Sequence, residues 1–289
     1  MTILAENYQL NNGVEIPKMA LGTWLIDNDD VAAAVENAIK LGYRHVDTAQ
    51  AYGNEQGVGK GIRESGVDRD QLFVTDKVAA ELKDYDGVTK SIDESLSTLG
   101  LDYVDMLIIH SPQPWREVNQ SDDRHFKGNL EAWRAMTDAM KEGKVKAIGV
   151  SNFNQDDLQN ILDNSDVKPA VDQILAHIAN TPLDLIKFCQ DNDIQVEAYS
   201  PVGHGAVLNQ ADVKKIAAKY HVSPAQLCLK YDLQLGMVVL PKTENPAHMK
   251  QNADLDFTIS DEDMKTLENV KKMTDYGQAN LFPVYGGKI

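Results

Sequence analysis

Short runs of β-branched and aliphatic residues alternate with stretches of helical period along nearly the whole chain. The helical stretches are marked by apolar faces: Val31, Val35, Ala38 and Ile39 fall on one side of a helix, as do Val88, Ile92, Leu96 and Leu99. Start signals sharpen several of them. Thr181-Pro182-Leu183-Asp184 predicts a cap, a proline at the first helical position and an acid in the first turn. Ser223-Pro224-Ala225-Gln226 repeats the device with a capping-box glutamine. Between the helical stretches, residues 19–22, 45–47, 73–77, 106–110, 147–151, 171–174, 196–200 and 238–241 read as strands. Alternation of this kind predicts parallel strand–helix units. The opening Tyr8-Gln9-Leu10-Asn11-Asn12-Gly13-Val14-Glu15-Ile16 predicts a β-hairpin about an Asn-Gly turn instead. Near the other end, Ser260 caps a further helix carrying Met264, Leu267 and Val270. Eight units in series predict an α/β fold, a (β/α)8 TIM barrel with an N-terminal β-hairpin and an extra C-terminal helix, as one domain over residues 1–289. A doubly wound sheet is the runner-up, but no G-x-G-x-x-G follows the first strand.

A barrel of this kind gathers its functional side chains where the strands end, at the C-terminal face. The ends of the expected strands are Asp47, Lys77, His110, Ser151, Gln173 or Ile174, Ser200 and Lys242. Asp47 and Lys77 come from neighbouring strands, so an ion pair between them is geometrically natural. A buried pair of that type is often no net help to stability, which favours a functional purpose. Tyr52 follows Asp47 at the start of the next loop, within reach of the same mouth. A phenol, with a reference pKa of about 10, is a poor acid near neutrality; an adjacent ammonium favours the phenolate and brings the proton closer to transferable. His110 can donate a hydrogen bond to an oxygen that gains negative charge. Taken singly, a loop tyrosine, a rim ion pair or a strand-end histidine is more often structural. Their joint arrangement on three consecutive strand ends is what points to chemistry.

Gly42-Tyr43-Arg44-His45-Val46-Asp47-Thr48-Ala49 followed by Tyr52-Gly53-Asn54-Glu55 and Val58-Gly59 resembles the first signature of the aldo-keto reductase family. Leu107-Ile108-Ile109-His110, Ala147-Ile148-Gly149-Val150-Ser151-Asn152-Phe153, Ala198-Tyr199-Ser200-Pro201 and Leu240-Pro241-Lys242-Thr243 match the family's later motifs in order. The resemblance covers almost the entire chain and is strongest to the bacterial diketogluconate reductase and glyoxal reductase branch. It implies reduction of aldehydes or ketones by NADPH, with Tyr52 as general acid, Lys77 as its ammonium neighbour, Asp47 holding Lys77, and His110 orienting the carbonyl. It further implies that Ser151, Asn152 and Gln173 hold the cofactor's carboxamide, that Tyr199 stacks on the nicotinamide, and that Asp47 touches the ribose. Gly22, Thr23, Ser200, Pro201 and Val202 match other cofactor positions, and Trp24 and Trp115 match the substrate pocket with Tyr52 and His110. No metal is implied. Relatives are commonly monomers.

For the ribose 2′-phosphate the same match offers Lys242 and Thr243, with Gln251 and Asn252 at the adenine and His248 where arginine is usual. Histidine cannot form the arginine fork and is largely neutral at pH 7. NADPH preference should therefore be weaker than in arginine-bearing relatives. Other departures leave the four catalytic positions intact. Asp76 stands where threonine or serine is usual, but a strand neighbour of Lys77 faces the other way and need not touch the site. Asp172 replaces an asparagine, and Leu175 and Ile178 break the pattern around His177. Val78-Ala79-Ala80 and Ser111 replace aromatic pocket walls, leaving Trp24, Trp115 and Phe126 as candidates, the latter two on a long loop at 111–128. The tail Leu281-Phe282-Pro283-Val284-Tyr285-Gly286-Gly287-Lys288-Ile289 is short for the family, which points to small aldehydes, ketones and dicarbonyls.

Composition narrows the alternatives. Of 289 residues, 43% are hydrophobic and 25% charged, enough to bury a core in an ordinary globular chain. A formal net charge of −16 repels nucleic acid and anionic membranes at long range. No apolar run approaches the ~18 residues of a membrane span, and no leader pattern is visible at the N-terminus. Cys189 and Cys228 lie apart from any cluster, so a disulfide framework or zinc site is not expected, and a cytoplasmic location is. Two rivals share the barrel: an NADPH-sensing binding module, and a metal-dependent hydrolase built on His45, Asp47 and His110.

Overall fold

Strands covered on both faces bury successive residues rather than alternate ones, and the central strands here do so even where they carry polar groups such as Thr75, Asp76 and Lys77. All six residues of Phe73–Val78 are buried, as are all six of Val104–Ile109. The computed structural model describes residues 2–285. Within them a short hairpin, β1 (Asn7–Gln9) and β2 (Glu15–Pro17), precedes eight parallel strands: β3 (Leu21–Gly22), β4 (His45–Asp47), β5 (Phe73–Val78), β6 (Val104–Ile109), β7 (Val145–Ser151), β8 (Val171–Leu175), β9 (Gln195–Tyr199) and β10 (Val238–Leu240). Each of the eight pairs with the next in sequence order. Parallel bridges from Met19 to Val239 and from Gly22 to Lys242 close the ring. The first strand is shorter than expected because its stretch is shared: Leu21 and Gly22 ladder onto β4, while Met19 turns to the opposite neighbour.

Helices α1 (Asn28–Lys40), α2 (Glu55–Glu64), α3 (Tyr85–Leu99), α4 (Phe126–Lys141), α5 (Gln155–Asn164), α6 (Leu183–Asp191), α7 (Ala211–Lys219), α8 (Pro224–Gln234), α9 (Pro246–Asn252) and α10 (Asp261–Glu268) form the outer layer. Their apolar stripes face the strands: Val31, Val35, Ala38 and Ile39 of α1 are buried, as are Val88, Ile92 and Leu99 of α3. Ser223 and Gln226 make the expected capping box, and Ser260 accepts from Asp263 N at the start of α10. Pro182 is the N-cap residue of α6 rather than its first helical residue. Thr181 supplies no cap there, because its hydroxyl donates back to the His177 carbonyl and meets the Tyr231 hydroxyl. Val270 lies just past α10 and still packs on that helix's core cluster.

The hairpin plugs the bottom of the barrel. Leu10 and Ile16 join Phe73, Met106, Ile108 and Val171 in the inner core. The turn reaches further, since Asn11 donates to the carbonyls of Pro169 and Asp193 and Asn12 to that of Lys146. Full burial of a side chain such as Ile16 is worth roughly 1.5–3 kcal/mol, so the plug is more than a cover. With the lower end filled by the hairpin, the face where the strands end is left for a site.

Candidate active site

Four polar side chains meet at that open face. Asp47 ends β4, and Lys77 lies near the end of β5 with no exposed surface. The Lys77 ammonium donates to Asp47 Oδ1 at 2.5 Å, to the Thr48 carbonyl at 2.9 Å and to the Tyr52 hydroxyl at 3.2 Å. Tyr52 closes a tight turn, Gln50–Tyr52, followed by Gly53 at φ 67°, a left-handed conformation that glycine adopts without strain. Gln50 pins the turn from both sides: its oxygen accepts from Ala79 N at 2.8 Å and its nitrogen donates to Ser95 Oγ at 2.9 Å. Asn54 locks the next stretch, donating to the carbonyls of Thr23 and Ile26 and accepting from Thr48 Oγ1, each at 2.9 Å. The tyrosine is thus held on a loop whose polar groups are all spent on neighbouring elements.

His110 follows β6 and stands edge-on to Tyr52, with ring centres 5.6 Å apart, and to Trp115, at 4.9 Å. Burial, assisted by the Lys77 charge, holds its imidazole well below the usual histidine range, so it is neutral. Its Nδ1 is buried without a partner among the described residues. A bare lone pair there is less costly than a bare N–H, which puts the proton on Nε2 at the cavity. Burial raises the Tyr52 phenol above its ordinary value of 10.0; Lys77 pulls it down, as expected from the sequence, but burial outweighs that pull and Asp47 adds to the rise. Burial alone would lower Lys77, yet Asp47 and Tyr52 together hold it above the ordinary 10.5. The group therefore rests as an ammonium beside a protonated phenol.

Asp47, Tyr52 and His110, with Lys77 buried behind them, wall one end of a cavity of about 600 Å³ that continues to Lys242. Gly22, Trp24, Asp47, Tyr52, His110 and Trp115 line it at the mouth of the tetrad. Ser151, Asn152, Gln173 and Tyr199 form its floor and side, and Ser200, Pro201, Val202 and Lys242 extend it as a groove. Asn152 sits at φ 61° just past β7, where its amide donates to the His110 carbonyl and its oxygen accepts from the Tyr199 hydroxyl at 2.7 Å. Ser151 Oγ donates to the Gln173 carbonyl. Gln173 donates from Nε2 to Asp47 Oδ2 at 2.9 Å and to Glu197 Oε2 at 3.0 Å, so its Oε1 is left for the cavity. At the far end Lys242 pairs with Glu244 at 2.7 Å. An acceptor at Gln173, a donor at His110, an aromatic face at Tyr199 and an exposed ammonium at Lys242 fit a nicotinamide dinucleotide lying along the groove.

Several expected residues are placed elsewhere. Thr23 is fully buried and does not line the cavity; its hydroxyl donates to the Asp47 carbonyl, which makes it a support beneath the aspartate. Thr243, His248 and Gln251 lie outside the cavity on the turn after β10 and on α9, where His248 and Gln251 are exposed and Asn252 is buried. Phe126 is not a pocket wall: it opens α4 and is 41% exposed. His45 points into the barrel against Thr75 Oγ1 and reaches no cavity. Asp76 faces away from the cavity, as strand geometry requires, and lies buried beside Glu55.

Other residues enter the site without a signal in the chain. Phe282, Pro283, Val284 and Tyr285 line the cavity, so the tail closes it despite its brevity. Residues 286–289 lie outside the described residues. Trp24 packs edge-on to Phe282 at 4.7 Å, Tyr285 meets Ser200 Oγ at 2.9 Å, and Asn119 of the long loop donates to the Pro283 carbonyl. His204, on the turn Gly203–Gly205, completes this wall with its ring 4.7 Å from that of Tyr285. Leu25 and Ala51 also line the cavity. Aromatic spacing across distant segments carries no periodicity, so only the fold reveals this wall.

Known proteins share both the sequence and the shape. Residues 18–272 match the aldo/keto reductase family model. Glyoxal reductase of Bacillus subtilis (strain 168) is 40% identical over 273 residues, covering 94% of this chain and 95% of the relative. An aldo/keto reductase crystal structure from Brucella melitensis superposes with a TM-score of 0.84 at 40% identity, covering 91% of this chain and 98% of that one. The Bombyx mori aldo-keto reductase, crystallised in complex with NADP, superposes with a TM-score of 0.84 at 34% identity over 98% and 99% of the two chains. With the barrel, the ordered motifs and these relatives in agreement, the chain belongs to the aldo/keto reductase family.

Proposed function

We propose that this chain reduces small aldehydes, ketones or dicarbonyls to alcohols with NADPH, using Tyr52 as the general acid. The observation that carries the reading is the Tyr52 hydroxyl 3.2 Å from a wholly buried Lys77 ammonium, on the wall of a cavity that continues to Lys242. Family membership and an NADP-bound relative support it. When bound, NADPH supplies the hydride that goes to the carbonyl carbon. Ser151, Asn152 and Gln173 would hold its carboxamide, Tyr199 its ring, and Lys242 with Thr243 and His248 its 2′-phosphate.

The side chains do the rest. Neutral His110 donates from Nε2 to the carbonyl oxygen and fixes its direction. Tyr52 gives its proton to that oxygen as negative charge develops there. The phenolate left behind is stabilised by Lys77, whose charge Asp47 keeps in place. Trp24, Trp115 and the tail exclude water from the reacting end. The aromatic, compact wall suits small uncharged carbonyl substrates. We further propose that the protein works as a monomer in the cytoplasm, a location suited to two free and buried cysteines.

Removal of the phenolic proton tests the assignment. Tyr52→Phe is expected to cut turnover of methylglyoxal by about 100-fold or more, the low end of general-acid contributions, while NADPH binding measured by fluorescence stays nearly unchanged. Retention of most of the turnover overturns the general-acid role.

A further inference from the structure

One acid inside the barrel has no part in the reaction as described. Glu197 stands in β9 between Val196 and Ala198, with no exposed surface. Its Oε2 accepts from Gln173 Nε2 at 3.0 Å, and its Oε1 meets no donor among the described residues. The same Gln173 nitrogen donates to Asp47 Oδ2 at 2.9 Å. The two hydrogens of one amide are therefore divided between two carboxyl groups. Because Asp47 also holds Lys77, and Lys77 reaches Tyr52, an unbroken polar chain runs from Glu197 to the phenol. A buried carboxyl with one oxygen unsatisfied is a costly way to fill space, and an apolar side chain would fill it without that desolvation.

We propose that Glu197 is a positioning residue: it fixes which end of the Gln173 amide faces the cavity, and its charge sets the field beneath the nicotinamide site. The inference rests on the NADPH reading given above. An amide has one end that donates and one that accepts. With both N–H groups drawn inward, Gln173 can offer the cavity only its oxygen, which selects a donor such as the carboxamide NH2 group. Without Glu197, one N–H is released and the amide can rotate.

The field argument follows from what surrounds the carboxyl. Asp47 from β4 and Lys77 from β5 are the charged groups facing it among the described residues; β8 contributes neutral Gln173 and, through space, the Asp172 carboxyl, which burial holds well above its ordinary 3.8, and β10 sets Val238 beside it. His45, lower in the barrel, is held neutral, lowered to about 3 chiefly by burial. Burial, then repulsion from Asp47, raises Glu197 to about 7 against the opposing pull of Gln173 and Lys77. Below that pH the carboxyl is neutral, and above it a second negative charge joins Asp47. The nicotinamide ring is cationic in NADP+ and neutral in NADPH, so an ionised Glu197 favours the oxidised cofactor.

The test is the ratio of NADPH to NADP+ dissociation constants, measured by quenching of tryptophan fluorescence across pH. The 2′-phosphate is common to both ligands and cancels in the ratio. In the unaltered protein NADP+ should gain on NADPH by roughly 5-fold or more from about one pH unit below that value to about one above, the size of an ordinary coupling between sites. Glu197→Gln keeps an acceptor for Gln173 and removes the charge, so both cofactors should bind and the ratio should become independent of pH. Glu197→Leu should weaken both cofactors, because Gln173 loses its second anchor. A ratio that is flat in the unaltered protein, or that still changes in E197Q, overturns the inference and leaves the NADPH reading standing. Failure of the unaltered protein to bind either cofactor overturns the reading itself.

Discussion

Replacing Asp47 with asparagine leaves the Lys77 ammonium fully buried among neutral acceptors: the new amide oxygen, the Thr48 carbonyl at 2.9 Å and the Tyr52 hydroxyl at 3.2 Å. None is an anion. Breaking a buried pair from one side costs about 3–5 kcal/mol, since the surviving charge keeps its desolvation penalty and loses its compensation. That is a large part of a typical total stability of about 5–15 kcal/mol. Lys77→Met should be damaging for the mirror reason, as Asp47 keeps only its Gln173 donor at 2.9 Å among side-chain partners. The double variant carries no orphaned charge and should be more stable than the sum of the singles allows, by about 2 kcal/mol or more. Urea unfolding of the four proteins at neutral pH closes the cycle. Lys77 is held above its ordinary 10.5, so the ammonium's contribution is complete below that value and is lost as pH rises through the folded-state pKa. Neutral pH therefore reads it in full. Additivity within about 0.5 kcal/mol would refute the claim that the two charges compensate one another. Turnover should be lost in Lys77→Met and in the double variant, which remove the ammonium that stabilises the Tyr52 phenolate, and should fall in Asp47→Asn, where Lys77 loses the anion that holds it in place.

Four other substitutions test three separate parts of the molecule. A Cβ on Gly59 of α2 would lie 1.8 Å from the Leu99 carbonyl oxygen at the end of α3. Gly59→Ala should thus destabilise by about 1–3 kcal/mol or more, overriding the ~0.5–1 kcal/mol that alanine ordinarily gains in a helix; a melting temperature equal to or above the original counts against such close packing. Asp232, in α8, is buried with neither oxygen paired among the described residues, and burial holds it well above the ordinary 3.8. The folded protein then keeps a proton that the unfolded chain releases, so stability falls as pH rises from 3.8 towards the folded-state pKa. Asp232→Asn should flatten that slope in urea midpoints taken at acidic and neutral pH, and an unchanged slope would assign it to other groups. At the cofactor's far end, His248→Arg should tighten NADPH with little effect on NADH. Glu244→Gln should act in the same direction by freeing Lys242 from its 2.7 Å partner. An equal change for both cofactors in either variant removes the phosphate-site assignment.

The parts of the fold readable along the chain are those set by neighbours. Short β-rich runs alternating with helical stretches marked all eight strands, and stripes such as Val31, Val35, Ala38 and Ile39 marked helix faces, because both patterns follow from backbone period. Features decided by contacts far apart in sequence were not readable. Met19 and Gly22 turn from one neighbouring strand to another only because the ring closes on Val239 and Lys242. Thr23 matched a cofactor position in type but spends its hydroxyl on the Asp47 carbonyl. The wall made by Trp24, His204, Phe282 and Tyr285 joins segments from both ends of the chain. Glu197 was visible as an acid within an apolar strand, but its meaning depends on Gln173 standing opposite.

Tyr52 shows why this division is physical. The chain places an ammonium near a phenol, and that fixes the sign of one interaction: Lys77 does lower the phenol, as does its hydrogen bond. The net direction is upward, because the barrel mouth desolvates the group and Asp47, brought there to hold Lys77, opposes the ionised form as well. Pairwise chemistry follows from residue type and spacing, whereas desolvation is a property of everything packed around the group. The outcome suits a proton donor. A phenol that remains protonated when the cavity is empty keeps its proton until charge appears on a bound oxygen, and Lys77 then stabilises the anion that forms.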